Sequence, residues 1–195
     1  MADDNAKIIF IGLLGAAMAG GYKVYKNMQK DDVAKLVLSK ANQFGFNDAD
    51  VALTLAIIEQ ESDYIATARR AEPKHWADHI AKNPKYASNP WKSQMDLWGS
   101  WGLGQLLYET ALDLGFDPNQ CPTDLLDPNI NVTLTMTLIQ NLQHRFGKNN
   151  PTDVISAYNS GQPVSRAPDV TRNTYVPKVW SRLQNLMPYV QNMIA

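Results

Sequence analysis

Apolar residues recur at intervals of three and four along most of the chain, and no alternating run is long enough to predict a strand of ordinary length. From Asp31 the residues Val33, Leu36, Val37 and Ala41 lead to Phe44, and Gly45 supplies a stop that tolerates a left-handed backbone. A second helix follows, with Asp48 as N-cap and Val51, Leu55 and Ile58 on one core face. Residues 62–99 break the pattern with Pro73, Pro84 and Pro90, leaving one short helix over residues 74–80 in a section long enough to be a functional rim or an insert. A short helix over residues 108–114 stops at Gly115. Asp127-Pro128 opens a longer one, with Ile130, Leu134, Leu138, Leu142 and Phe146 at steps of four. Asn150-Pro151 caps a helix reaching Gly161, and a last helix starts at Val176, with Pro188 placed to end or kink it. The predicted class is all-α, with at most a small β-hairpin over residues 99–105.

The amino-terminal stretch has a different texture. Residues 8–22 are fifteen uncharged residues between Lys7 and Lys23. As a helix they span about 22 Å, short of a hydrocarbon core of roughly 30 Å unless Val24 and Tyr25 join and the lysines snorkel. Gly12, Ala16 and Gly20 form a stripe of small residues that admits a second helix closely. Lys23, Lys26, Lys30 and Lys35 follow the run while only Lys7 precedes it, the wrong bias for an exported anchored domain. Ala17-Met18-Ala19 offers a signal-peptidase site, but Asp3 and Asp4 make a poor leader. Residues 1–30 are therefore read as an apolar helix anchoring the chain in a membrane or in an assembly of its own or other proteins. Residues 31–195 are read as the working domain.

Composition narrows the chemistry. With 195 residues, 45% of them hydrophobic, the chain supports one substantial domain. A net charge of −1 excludes a nucleic-acid binder that works through a strong overall field. Beyond Pro128 six basic residues face two acidic ones, which fits a polyanionic partner or simply a solvated helix face. Cys121 is the lone cysteine, so no internal disulfide forms. His75 and His79 stand four apart without the HExxH order, and no metal site is expected. The odd residue is Glu61. It falls three past Ile58, near the buried face, whereas Glu59 turns toward water. A carboxyl group at an apolar edge either has its pKa raised by desolvation and serves as a general acid, or is satisfied by a backbone or arginine partner.

Several segments, taken in order, carry a resemblance. IIEQES, SWGLGQLLYETALDLGF, DPNINVTLTMTLIQNLQHRFG, AYNSG and TYVPKVWSRL together resemble the catalytic domain of soluble lytic transglycosylases, relatives of goose-type lysozyme, across roughly residues 31–186. ARRAEPKHW is similar to a stretch of phage-type peptidoglycan hydrolases. Two positions depart from the family pattern: Thr171 stands where an acidic residue is usual, and Gly104 where methionine is usual.

The resemblance implies a lysozyme-like fold and a cofactor-free enzyme that cleaves the bond between N-acetylmuramic acid and N-acetylglucosamine, leaving a 1,6-anhydromuramyl end. It implies Glu61 as the catalytic acid and base, with Ser62, Ser100, Gln105, Tyr158, Asn159 and Tyr175 at the substrate. One or two of Trp76, Trp91, Trp98 and Trp101 are expected to meet the glycan. Either Glu72 or Asp96, if close across the cleft, would activate water and make the enzyme a muramidase. The implied partner is the peptidoglycan strand, reached in the periplasm from a membrane anchor or from a phage virion. A structural particle component with an inactive lysozyme-like domain is the alternative from another class.

Overall fold

The computed structural model describes residues 28–194, so the apolar stretch over residues 8–22 and its membrane, oligomer or virion role lie outside the described residues. Within them, the apolar run after Asp50 forms the middle of helix α2 (Asp48–Ser62), and every residue from Asp50 to Ile58 is buried. A helix that is apolar all round must be enclosed. Helix α7 (Val176–Ile194) lies along most of it, and α1 (Lys30–Phe44) and α5 (Pro128–Phe146) cover the rest. The expectation of a single core face on this helix is thereby corrected: apart from its exposed first residues, Asp48 and Ala49, only its last turn reaches the surface. There Glu59 is half-buried rather than turned to water, accepting from the Tyr64 hydroxyl at 2.9 Å and pairing with Arg182 at 3.4 Å. The N-cap is Asn47, not Asp48, because Asn47 Oδ1 takes the Asp50 N–H at 3.1 Å while the Asp50 carboxylate takes the Asn47 N–H at 2.9 Å. Asp50 also accepts from Gln143 at 2.6 Å and pairs with Lys148 at 2.9 Å, tying the start of α2 to the end of α5.

The long section after α2 is not a loose loop. It contributes β1 (Arg69–Arg70), a helical turn α3 (Pro73–His75) running on into a π turn (Trp76–Ile80), and two 3₁₀ turns. The expected hairpin is present as β2 (Ser100–Trp101) and β3 (Leu106–Leu107), and β1 adds a third antiparallel strand in the order β1-β2-β3. These pieces enclose a second apolar cluster with α4 (Tyr108–Asp113). Within it Tyr86, Trp98, Tyr108 and Phe116 stack edge to face at centroid distances of 4.9, 4.9 and 6.1 Å. Trp98 and Trp101 are 1% exposed, and their indole N–H groups are satisfied by the Trp91 and Leu97 carbonyls. They are core side chains, which removes them from the sugar-binding candidates.

Helix α6 (Pro151–Ser160) opens on Asn150 and closes on Gly161, whose φ of 71° is the left-handed value glycine takes freely. A π turn (Thr171–Tyr175) then leads into α7. Pro188 does not end the helix, since α7 runs on to Ile194. Pro188 is exposed, so the carbonyl it leaves without an N–H partner meets water, while buried Leu186 and Val190 hold the helix on either side. Among the described residues no helix is long and apolar enough to cross a membrane.

Candidate active site

Helix α2 is stopped one residue after Glu61. Asp63 and Tyr64 both take left-handed backbone, with φ of 53° and 63°, a conformation costing L-residues about 1–2 kcal/mol each. Buried Tyr64, hydrogen-bonded to Glu59, holds that turn in place. Glu61 thus sits in the last helical turn, where the unpaired carbonyls disfavour a second negative charge. Its side chain enters a cleft walled by Arg70 of β1, Ser100 of β2, the segment from Gln105 to Leu107, Thr110 of α4, Leu138 of α5, and Tyr158 and Asn159 of α6. The Tyr175 hydroxyl, delivered by the π turn, donates to Glu61 Oε1 at 2.5 Å. Burial raises the Glu61 pKa above the ordinary glutamate value; the Tyr175 hydrogen bond and the charge of Arg70 pull it back without prevailing. Tyr175 and Tyr158 are themselves pushed well up, chiefly by burial, so both stay neutral hydroxyls.

The lining segment from Gln105 to Leu107 is preceded by a tight loop secured by Asn131. This fully buried side chain accepts the Gly104 N–H at 2.7 Å and donates to the Trp101 and Leu125 carbonyls at 2.8 and 2.9 Å. The backbone passes so close that a Cβ on Gly102 would stand 2.4 Å from Asn131 Nδ2, and one on Gly104 would stand 2.1 Å from Thr135 Oγ1. That crowding is the physical reason for glycine at position 104. The Tyr158 hydroxyl donates to the Gly104 carbonyl at 2.7 Å, so it fastens the loop to α6. Gln105, at a φ of 46°, donates its amide to the Ala68 and Gly102 carbonyls at 3.1 and 2.9 Å. Two acceptor partners fix which end of the amide is nitrogen, and its Oε1 is the atom left to offer the cleft.

Asn159 lines the cleft from an exposed position, and buried Thr171 donates to its Oδ1 at 2.7 Å. Thr171 therefore keeps a link to the site that its departure from the family pattern had put in doubt, and leaves the Asn159 NH₂ for the cleft. Ser100, 1% exposed, lines the cleft from the sheet. Ser62 does not: it is buried and donates back to the Ile58 carbonyl at 3.1 Å, because adjacent helical residues point about 100° apart. Glu72 pairs with Arg70 at 2.5 Å, Asp96 is exposed, and neither lines the cleft. Trp76 and Trp91 do not line it either.

Sequence reasoning gave no role to Arg70, Thr110 or Asn131. Only Asn131, a polar residue on an apolar helix face, left a readable signal. His75 meets Glu109 at 2.7 Å, and no group of three or more metal-ligating side chains occurs among the described residues. A larger surface cavity of about 450 Å³, bordered by Lys40, Phe116, Asp117 and Thr133, shares no residue with the Glu61 cleft, and its two charged residues are not buried.

The family profile of the transglycosylase SLT domain matches residues 45–173, a span running from the end of α1 into the π turn and containing Glu61 and every cleft-lining residue named above. No curated protein and no solved structure matches the chain.

Proposed function

The chain belongs to the transglycosylase SLT family, and on that footing we propose that it is a peptidoglycan lytic transglycosylase in which Glu61 acts alone as acid and then base. The observation that carries this reading is that, among the described residues, Glu61 is the sole carboxylate lining its cleft, in surroundings that favour the protonated form. Hydrolysis with two protein carboxylates requires a partner within about 5–9.5 Å to serve as nucleophile or to activate water. A single carboxyl suits a reaction in which the substrate supplies the nucleophile. Protonated Glu61 gives its proton to the oxygen linking N-acetylmuramic acid to N-acetylglucosamine, and the C1–O4 bond breaks. The substrate's acetamido group stabilises the cationic C1. The carboxylate then removes the proton of the 6-hydroxyl as O6 bonds to C1, closing the 1,6-anhydro ring and restoring the acid. Tyr175 supports the carboxylate half of this cycle by its hydrogen bond. Ser100, Gln105 Oε1 and the Asn159 amide supply polar contacts for the sugar rings, and Leu106, Leu107 and Leu138 supply apolar walls.

A hydrolytic reading is favoured by one observation, the placing of Glu72 against Arg70 at the cleft's edge. Digesting purified sacculi and weighing the released muropeptides separates the two. Anhydromuramyl ends, lighter by one water, are expected; reducing ends would make the protein a muramidase, and no release would leave the inactive-component reading. Tyr175→Phe is expected to cost about tenfold in rate, the size of one hydrogen bond to a charged group. Its pH-rate profile carries the signature. Removing an interaction that lowers the Glu61 pKa lets that pKa rise further, so the limb where activity falls with increasing pH should move upward.

We extend the proposal to place: the enzyme works at the cell wall, and residues 8–22 support attachment to a membrane or carriage in a virion.

A further inference from the structure

Arg70 is a cation in a place where the proposed chemistry gains nothing from one. Of the described residues lining the Glu61 cleft it is the only one with a positive charge, and that charge favours ionisation of the group that must be a proton donor. Nor does the fold need it. Its backbone holds the sheet by pairing with Ser100, which any side chain permits. Its side chain is 68% exposed and paired with Glu72, and an ion pair so open to water stabilises a fold only weakly. What the arrangement does provide is a guanidinium fork at the mouth of the cleft, held over the site by a carboxylate that another carboxylate can replace.

We propose that Arg70 is a subsite for a carboxylate borne by the muramyl residue of the strand, either its lactyl group or its stem peptide. This rests on the reading of the cleft as a peptidoglycan site. Of the two alternating sugars only the muramyl one carries acidic substituents, so the contact sets the register of the strand against Glu61. An incoming carboxylate takes the place of Glu72 on the guanidinium and so adds one negative charge beside Glu61, which favours its protonated form just when the acid is needed. The titratable and charged groups facing Glu61 are Arg70 from β1, Tyr158 from α6 and Tyr175 from the π turn, and of these Arg70 is the one that can pair with a substrate carboxylate.

The test compares Arg70→Gln and Arg70→Lys with the parent, each also in a Glu61→Gln background so that affinity is read without cleavage. Three probes are used: peptide-bearing strands, strands stripped by an amidase to expose the lactyl carboxylate, and a neutral chitooligosaccharide. Arg70→Gln is expected to weaken binding of at least one muramyl probe about five- to tenfold while leaving the chitooligosaccharide unchanged, and Arg70→Lys to recover much of the loss. Loss on stripped strands identifies the lactyl group, and loss on peptide-bearing strands the stem peptide. In the active background the Arg70→Gln activity limb should also move to higher pH, which a merely structural side chain would not cause. Unchanged affinity for both muramyl probes, or an equal loss on the neutral one, overturns the proposal. A parent that binds strands through Arg70 yet releases no fragments would overturn the Glu61 reaction and leave this subsite standing.

Discussion

Replacing Glu61 with glutamine is expected to lower strand cleavage at least about a thousandfold while making the folded chain more stable at neutral pH. The two effects have one cause. Glutamine has the shape of the protonated acid and still accepts the Tyr175 hydroxyl, so the cleft keeps its form, but it has no proton to give and cannot take one back. For stability, the folded pKa of Glu61 lies above the ordinary value of 4.5 because burial disfavours the carboxylate. Between those two values the folded chain holds a proton that the unfolded chain has released, so parent stability falls as pH rises through that window. Each unit of elevation corresponds to about 1.4 kcal/mol. The variant lacks the term. Urea unfolding of parent and variant should therefore show a gap that is widest above the raised pKa and closes below 4.5. A variant less stable than the parent at neutral pH would mean that the carboxylate is the favoured form in the fold.

The second large effect is expected at Asn131. Asn131→Ala strands a buried N–H at Gly104 and buried carbonyls at Trp101 and Leu125. Each such orphan costs about 1–3 kcal/mol, and partial rescue by water entering the space brings the expected total to roughly 3–4 kcal/mol. Activity should fall as well, because the Gly102 to Gln105 loop leads into the cleft-lining segment from Gln105 to Leu107 and Asn131 is its fastening. Asn129→Ala is the internal control. It lies two residues earlier on the same helix, is exposed, and contributes to capping through its backbone N–H, so its cost should stay within about 0.5 kcal/mol. Denaturation midpoints of the two variants, measured side by side, separate the loop contact from a general effect on α5.

The helix ends were legible in the chain because the residues that make them carry local signals. Gly45 and Gly161 take left-handed backbone, and Asn150 with Pro151 starts α6. The faces were less legible. Ile130, Leu134, Leu138, Leu142 and Phe146 look like one stripe, yet steps of four overshoot a 3.6-residue turn by about 40° each. The row winds round α5, from Ile130 and Leu134 in the second cluster to Leu142 and Phe146 in the first, which is how one helix joins both.

In the site, Glu61 stood out because a carboxyl at the end of an apolar helix is locally odd. Ser62, which the resemblance implies at the substrate, turns back to the Ile58 carbonyl instead, because adjacency in sequence is not adjacency on a helix. The grip of Asn131 on Gly104 spans 27 positions and that of Tyr175 on Glu61 spans 114, and no local pattern records such pairings. Arg70 was hidden for the same reason: its place beside Glu61 depends on β1 joining the sheet.

The ionisation of Glu61 tests the account at its centre. Its side-chain carboxyl carbon can be followed by NMR as a function of pH, with Glu61→Gln assigning the resonance. The expected midpoint lies above 4.5, moving higher still in Tyr175→Phe. A midpoint at or below 4.5 would show a carboxylate stabilised by Tyr175 and Arg70, and a single-acid mechanism at this residue would be contradicted.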